Sequence, residues 1–197
     1  MKIIFATGNK DKLREIKEIM SDCPVEILSM KEAGIQADIE ENGKTFEENA
    51  LIKAKAIHQE DAIVLADDSG LEVDYLNKEP GVYSARYMGE DTSYDIKNQS
   101  IIDRLDGVEK EKRTARFVCA IAASLPDGST LVTRETMEGY IGWEASGENG
   151  FGYDPIFYPF GYDCSSAALS REEKNKISHR GKALRAMKAL LKKTCDF

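Results

Sequence analysis

The stretch Ala62-Ile63-Val64-Leu65-Ala66-Asp67-Asp68-Ser69-Gly70-Leu71 decides how this chain is read. Four apolar residues run directly into two adjacent carboxylates, which reads as a buried strand delivering both acids to its exposed C-terminal end. Isolated anions there are costly to desolvate, so a cation, a positively charged partner or water must compensate them. Asp-Asp-Ser-Gly is also good turn chemistry. What favours a working site over a turn is a cluster of opposite sign near the other end of the chain, Ser178-His179-Arg180.

Outward from that strand, elements of both periods alternate. Lys2 to Ala6 reads as a strand, then Thr7-Gly8-Asn9 as a turn, then a helix with Leu13, Ile16, Ile19 and Met20 on its inner side. A second helix is expected from Thr45, whose hydroxyl caps while Glu48 reaches back, through Ala50, Ala54 and Ile57 toward Gln59. Leu71 to Tyr75 reads as a separate extended piece, and a long connection through Pro80-Gly81 and Tyr83 to Tyr87 leads to a helix over 92–105. Arg113 to Ser124 is the longest strand signal. Pro126-Asp127-Gly128-Ser129 turns it back into a strand over 130–137, and the last helix follows Ser178 with Leu184, Met187, Leu190 and Leu191 as its apolar stripe. The expected class is α/β, as one domain over residues 1–197.

Composition sets limits on function. With 197 residues, 42% hydrophobic and 31% charged, the chain can bury one sizeable core. A formal net charge of −8 argues against sequence-independent binding of nucleic acid, which needs a basic surface. Four cysteines without CxxC spacing and two histidines make no recognisable zinc site, so the thiols are read as reduced and the protein as cytoplasmic. No apolar run approaches membrane length, and no membrane association is expected.

Several further segments carry chemistry. Thr7-Gly8-Asn9-Lys10-Asp11-Lys12 joins a strand to a helix N-terminus, where free N–H groups and the macrodipole favour anions and Lys12 adds a point charge. It lacks a full Walker loop. Glu40 and Glu41, joined to Asp67 and Asp68, offer hard oxygens, and Mg2+ needs only one or two carboxylates beside substrate phosphates and water. Any two of these four acids would serve. Arg180 in a helix first turn opposes the macrodipole unless it faces an anion, and its planar fork suits phosphate. Lys174 fits an exposed charged helix equally well. Gly147 to Pro155, with Phe151, Gly152, Tyr153 and Asp154, can present an aromatic face to a nucleobase and a carboxylate to its ring N–H groups.

Together these motifs resemble the inosine/xanthosine triphosphate pyrophosphatase family. The resemblance is carried by Thr7-Gly8-Asn9 with Lys12 and Glu15, Thr45 to Ala50, Ala66 to Leu71, Pro80 to Arg86, Ala115-Arg116-Phe117, Phe151 to Pro155 and Ser178-His179-Arg180, in the family's order over nearly the whole length. It implies a long, mixed, twisted sheet with flanking helices in two lobes around a substrate cleft, and a homodimer. It implies that Asp68 is the general base, that Glu41 and Asp68 hold Mg2+, and that Thr7, Gly8, Asn9, Lys10, Asp11, Lys12, Ser69, Lys174, His179 and Arg180 contact the nucleotide. Phe151 to Asp154 would help hold the base. One departure is Glu148-Asn149-Gly150, where the family often has Thr-Gly-Gly, which leaves the entry to that loop open.

The implied reaction cleaves deaminated purine nucleoside triphosphates (ITP, dITP, XTP) to the monophosphate and pyrophosphate. Hypoxanthine offers an acceptor at O6 and a donor at N1 where adenine offers the reverse, so a site matched to the first leaves buried groups unpaired with ATP. Two other readings remain at this stage: a pyrophosphatase of different base preference, such as one for a modified pyrimidine, and a nucleotide-binding regulator without catalysis.

Overall fold

The computed structural model describes residues 2–195. Six strands and five α-helices are present among them, with one sheet in the order β2-β1-β3-β4-β5-β6. Strand β1 (Lys2–Phe5) runs parallel to both β2 (Glu26–Ser29) and β3 (Ile63–Val73), whereas β5 (Thr130–Ile141) pairs antiparallel with β6 (Phe157–Pro159). The sheet is therefore mixed. Strand β4 spans Thr114–Ser124. The helices are α1 (Lys10–Ile19), α2 (Phe46–Ala56), α3 (Tyr94–Arg104), α4 (Arg171–Ile177) and α5 (His179–Thr194). No helix is long and apolar enough to cross a membrane.

The described residues divide into two compact units. The first takes the chain through Asp68, then Cys119–Glu135 and the segment from Arg180 onward. Its core gathers Ile3, Phe5, Ile16, Met20, Ile63, Leu65, Ile121, Leu184, Met187 and Leu191, with Leu13 and Ile19 partly buried against it, so the expected stripes of α1 and α5 face inward except at Leu190, which is partly exposed and lies outside this core. The second unit, Ser69–Val118 and Thr136–His179, has its own core of Leu71, Val73, Ile101, Phe117, Met137, Ile156 and Phe157 among others.

Three expectations are corrected. Strand β3 does not end at the aspartates: it runs unbroken for 11 residues, so Asp67 and Asp68 lie within it, buried, and no separate piece begins at Leu71. Once both carboxylates have cationic partners the strand need not surface to solvate them. Strands β2 and β6 are additional, and too short to show a period. Helix α2 stops at Ala56, and Glu48 accepts from the Lys44 N–H at 2.6 Å, one residue earlier than a closed capping box requires. Thr45 does cap, accepting from Glu48 N–H at 3.1 Å.

Candidate functional site

Side chains of consecutive strand residues point to opposite faces, and Asp67 and Asp68 use both. Asp67 Oδ2 lies 3.0 Å from Lys12 Nζ and 3.4 Å from Arg180 Nη2, while the other arm of Arg180 is paired with Glu15. Burial alone would raise the Asp67 carboxyl, but Lys12, Arg180 and Lys53 outweigh it and hold the group well below the usual carboxylate range. The two-pronged contact of Arg180 expected for phosphate is made here to the carboxylates of Glu15 and Asp67, with the guanidinium 2% exposed.

Asp68 looks the other way. Lys53 of α2 places Nζ 3.0 Å from Glu41 Oε2 and 3.8 Å from Asp68 Oδ1, so the two acids converge on one cation. Burial pushes Asp68 up to about 6; Lys53 and Lys12 oppose that rise, Glu41 adds to it and the Asn49 side chain opposes it. Lys53 itself is held protonated, because Asp67, Asp68 and Glu41 outweigh its burial. Of the four candidate acids, Glu41 and Asp68 are the pair brought to a common positive charge, and Glu40 is exposed.

This observation also tests whether a divalent ion fits. Two hard carboxylate oxygens meet where a cationic group already sits, which suits an ion that takes its other ligands from phosphate and water. No group of three or more His, Cys, Asp or Glu side chains that could hold a metal exists among the described residues. An all-protein cage is therefore absent there, and a shared, substrate-completed site is what the donor set allows.

The turn before α1 differs from the expected row of free N–H groups, because side chains of the turn itself take several of them. Asn9 caps the helix, its Oδ1 accepting from Asp11 N–H at 2.9 Å and Lys12 N–H at 3.1 Å, and Thr7 Oγ1 accepts from Asn9 N–H at 3.2 Å. Gly8, Asn9 and Lys10 are exposed, Thr7, Asp11 and Lys12 partly so.

In the second unit, Asp154 is a clamp. Its Oδ2 accepts from the Phe151 N–H at 2.9 Å and from Lys174 Nζ at 2.6 Å, and that ammonium stands 5.0 Å from the Phe151 ring centroid. Lys174 is 5% exposed, not a member of a solvated face. Tyr153 donates its hydroxyl to Ser84 O at 2.6 Å. The His179 ring stacks on Phe117 at 4.9 Å and 11°. The departure at Glu148-Asn149-Gly150 is accommodated: Asn149 donates its N–H to Ala167 O at 2.8 Å and its amide to Leu169 O at 3.1 Å, tying the entry of the loop. Ser69, half-buried, opens this unit.

Lys53 and Asn49 escaped the sequence as functional groups. They are four apart on one face of α2, and that spacing is common to any helix; only the nearby acids could have drawn notice.

Comparison with known proteins points one way. A family model described as the Ham1 family matches residues 3–190. A dITP/XTP pyrophosphatase of Bacillus licheniformis is 50% identical over 191 residues, spanning 96% of this chain and 97% of that protein. Among solved structures, a HAM1 protein from Coxiella burnetii superposes with a TM-score of 0.87 at 39% identity, covering 98% of this chain and 99% of its own. The Staphylococcus aureus Ham1 protein gives 0.86 at 42% identity, covering 98% and 100%.

Proposed function

This chain belongs to the Ham1 family, and from that premise we propose that it hydrolyses deaminated purine nucleoside triphosphates, dITP and XTP foremost with ITP, to the monophosphate and pyrophosphate. Relatives about half identical over nearly the full chain bear the name dITP/XTP pyrophosphatase. The observation that carries the reading is Asp68, a buried carboxyl pushed up to about 6 beside Lys53 and Glu41. Near neutral pH such a group is largely ionised in the ion-free site, and a bound Mg2+ would favour the ionised form further, so the carboxylate stands ready to accept a hydrogen bond from an attacking water.

In the proposed reaction a water attacks the α-phosphorus, its proton passes to the Asp68 carboxylate, and the bond to the bridging oxygen of the β-phosphate breaks. Pyrophosphate leaves without a covalent intermediate. Glu41 and Asp68 would hold Mg2+, which when bound supplies charge neutralisation to the phosphates. Lys12 and Lys53 supply positive charge in the same unit, and the exposed turn over Gly8, Asn9 and Lys10 sits at the positive end of the α1 dipole. Arg180, held by Glu15 and Asp67, fixes the strand that carries Asp68 as well as adding to the positive field. Phe151 to Asp154, Lys174 and His179 would serve the base, with Asp154 acting through the loop it clamps.

A cytoplasmic, homodimeric enzyme completes the proposal. The reduced cysteines support the first and the family resemblance the second. The test is product analysis after incubation of dITP, XTP, GTP and ATP with Mg2+. Pyrophosphate and monophosphate from the first two, with little from the last two, is expected, and loss of turnover in excess EDTA checks the ion. Release of orthophosphate, or equal turnover of all four, would overturn it.

A further inference from the structure

The loop over 151–154 contains Gly152 at φ +67°, a conformation open chiefly to glycine, so its path is set by what holds it. One of those ties comes from a residue outside every motif. Asn98 of α3, 2% exposed, donates Nδ2–H to Gly152 O at 3.1 Å. The orientation of its amide is not free, since only the NH2 end can face a carbonyl. That leaves Asn98 Oδ1 buried with no hydrogen-bond partner among the described residues. A buried acceptor without a donor is costly, and an apolar side chain of similar size would avoid the cost. The bond to Gly152 is what the asparagine supplies in return.

That carbonyl belongs to the peptide between Gly152 and Tyr153, so its direction governs how the residues on either side are presented. The neighbouring turn of α3 supports the same segment. Tyr94 meets the Tyr153 ring edge-on at 5.2 Å and 90°. Lys97, also buried, donates to Ala85 O at 2.6 Å, next to the Ser84 carbonyl that takes the Tyr153 hydroxyl. Helix α3 thus meets the loop through Tyr94 and Asn98, with Lys97 holding the neighbouring Ala85 carbonyl, and of the three Asn98 is the one bonded to the loop backbone.

We propose that Asn98 is a positioning residue that sets the base selectivity of the 151–154 loop, a role that rests on the loop's proposed hold on the purine. Discrimination between purines turns on hydrogen bonds whose strength falls steeply with distance and angle. A loop released at Gly152 would still admit a nucleotide but would read its edge poorly. Binding of the polyphosphate, assigned to the other unit, would not change.

The experiment uses the full chain with Mg2+ and the variants Asn98→Asp and Asn98→Ser. The first keeps the shape and turns the donor into an acceptor facing the carbonyl; the second is too short to reach it. Steady-state kinetics with dITP and GTP are read beside competitive inhibition by pyrophosphate, with circular dichroism melts to verify folding. For dITP, KM is expected to rise about tenfold with kcat altered less than about twofold, and the dITP-to-GTP ratio of kcat/KM to fall about tenfold. The pyrophosphate inhibition constant is expected to stay at the wild-type value. A folded variant that keeps the wild-type ratio overturns the role of Asn98, as does a variant that loses kcat and pyrophosphate affinity together. Should Asn98→Asp fail to fold, Asn98→Ser decides by the same criteria. A wild-type protein with no preference for dITP over GTP overturns the loop's proposed role instead, before any variant is made.

Discussion

Asp67 and Asp68 are consecutive in one strand, yet their carboxyls are displaced in opposite directions, the first well below the ordinary range and the second up to about 6. Burial acts on both. What separates them is the pleat: it turns Asp67 toward Lys12 and Arg180, within 3.0 and 3.4 Å, and Asp68 toward Lys53 at 3.8 Å and the like charge of Glu41. Two carboxyls whose environments push them apart are suited to different tasks. Asp67 is a fixed anion that anchors cations, which leaves Asp68 for the proton-accepting role proposed above.

Exchanging each for its amide should separate those tasks. Asp68→Asn keeps the shape and removes the base, so pyrophosphate release is expected to fall by about 10²–10⁴-fold with the melting temperature unchanged or raised. Asp67→Asn leaves Arg180 and Lys12 short of a buried partner, which costs about 3–5 kcal/mol. Thermal melts together with a pyrophosphate assay check both, and wild-type turnover by Asp68→Asn would remove it from the role of base.

Much of the arrangement was legible in the sequence, for physical reasons. Apolar stripes at helical spacing in α1 and α5 have to face the core, and Ile16, Met20, Leu184, Met187 and Leu191 do, while Leu190 at the stripe's edge stays partly exposed. The cap at Thr45 follows from a side chain that satisfies a free N–H group. What escaped was set by tertiary contacts. The unbroken course of β3 depends on cations from α1, α2 and α5 that neutralise acids otherwise suited to a turn. Lys53 and Asn98 sit at ordinary helix positions, and only the fold shows what they face. Lys174 reads as a member of a solvated charged helix because its partner, Asp154, is twenty residues away in the chain.

Arg113 makes a separate prediction about stability. It is 1% exposed and donates to three backbone carbonyls, Ile141 O at 2.8 Å, Leu105 O at 2.6 Å and Gly142 O at 2.6 Å, with its guanidinium 4.7 Å from the Trp143 ring centroid. Arg113→Met would remove a charged donor from all three buried carbonyls; Leu105 O would keep the Val108 N–H at 3.0 Å, while Ile141 O and Gly142 O would each lose a bond worth about 1–3 kcal/mol. A loss of at least about 2 kcal/mol in urea unfolding is expected, and Arg113→Lys should recover only part of it, since an ammonium cannot span all three. A urea midpoint within error of wild type would show that water replaces the guanidinium without cost.

Acid stability should depend on Glu32. Its carboxylate accepts from the Ser29 N–H at 2.7 Å and lies 3.1 Å from Lys17 Nζ, and the Ser29 contacts, with Lys17, lower it from 4.5 to about 2. A carboxyl lowered on folding contributes stability that is fully present above its unfolded value and is lost as pH falls through the folded one. The wild type should therefore be more stable than Glu32→Gln above pH 4.5. The difference should shrink below that and vanish near pH 2. Urea midpoints for both proteins across this window measure it, and a gap that persists unchanged to the lowest pH would mean that the glutamine differs for reasons other than charge.

Gly150 should be irreplaceable where another left-handed glycine is not. At φ +71°, a Cβ on Gly150 would fall 2.2 Å from Asp154 Oδ2 and 3.0 Å from its Cγ. That carboxylate cannot swing aside cheaply, because Lys174 and the Phe151 N–H both hold the same oxygen. Gly128, in the β4–β5 turn at φ +83°, would meet nothing within 4 Å, so an alanine there bears only the backbone penalty of about 1–2 kcal/mol. Both alanine variants should therefore melt lower by a few degrees. Gly150→Ala alone should raise KM for dITP, by about tenfold or more, since it must either break the Asp154 clamp or move the loop that the clamp shapes. Equal KM values in the two variants, measured alongside their melts, would show that the clamp is structural and takes no part in holding substrate.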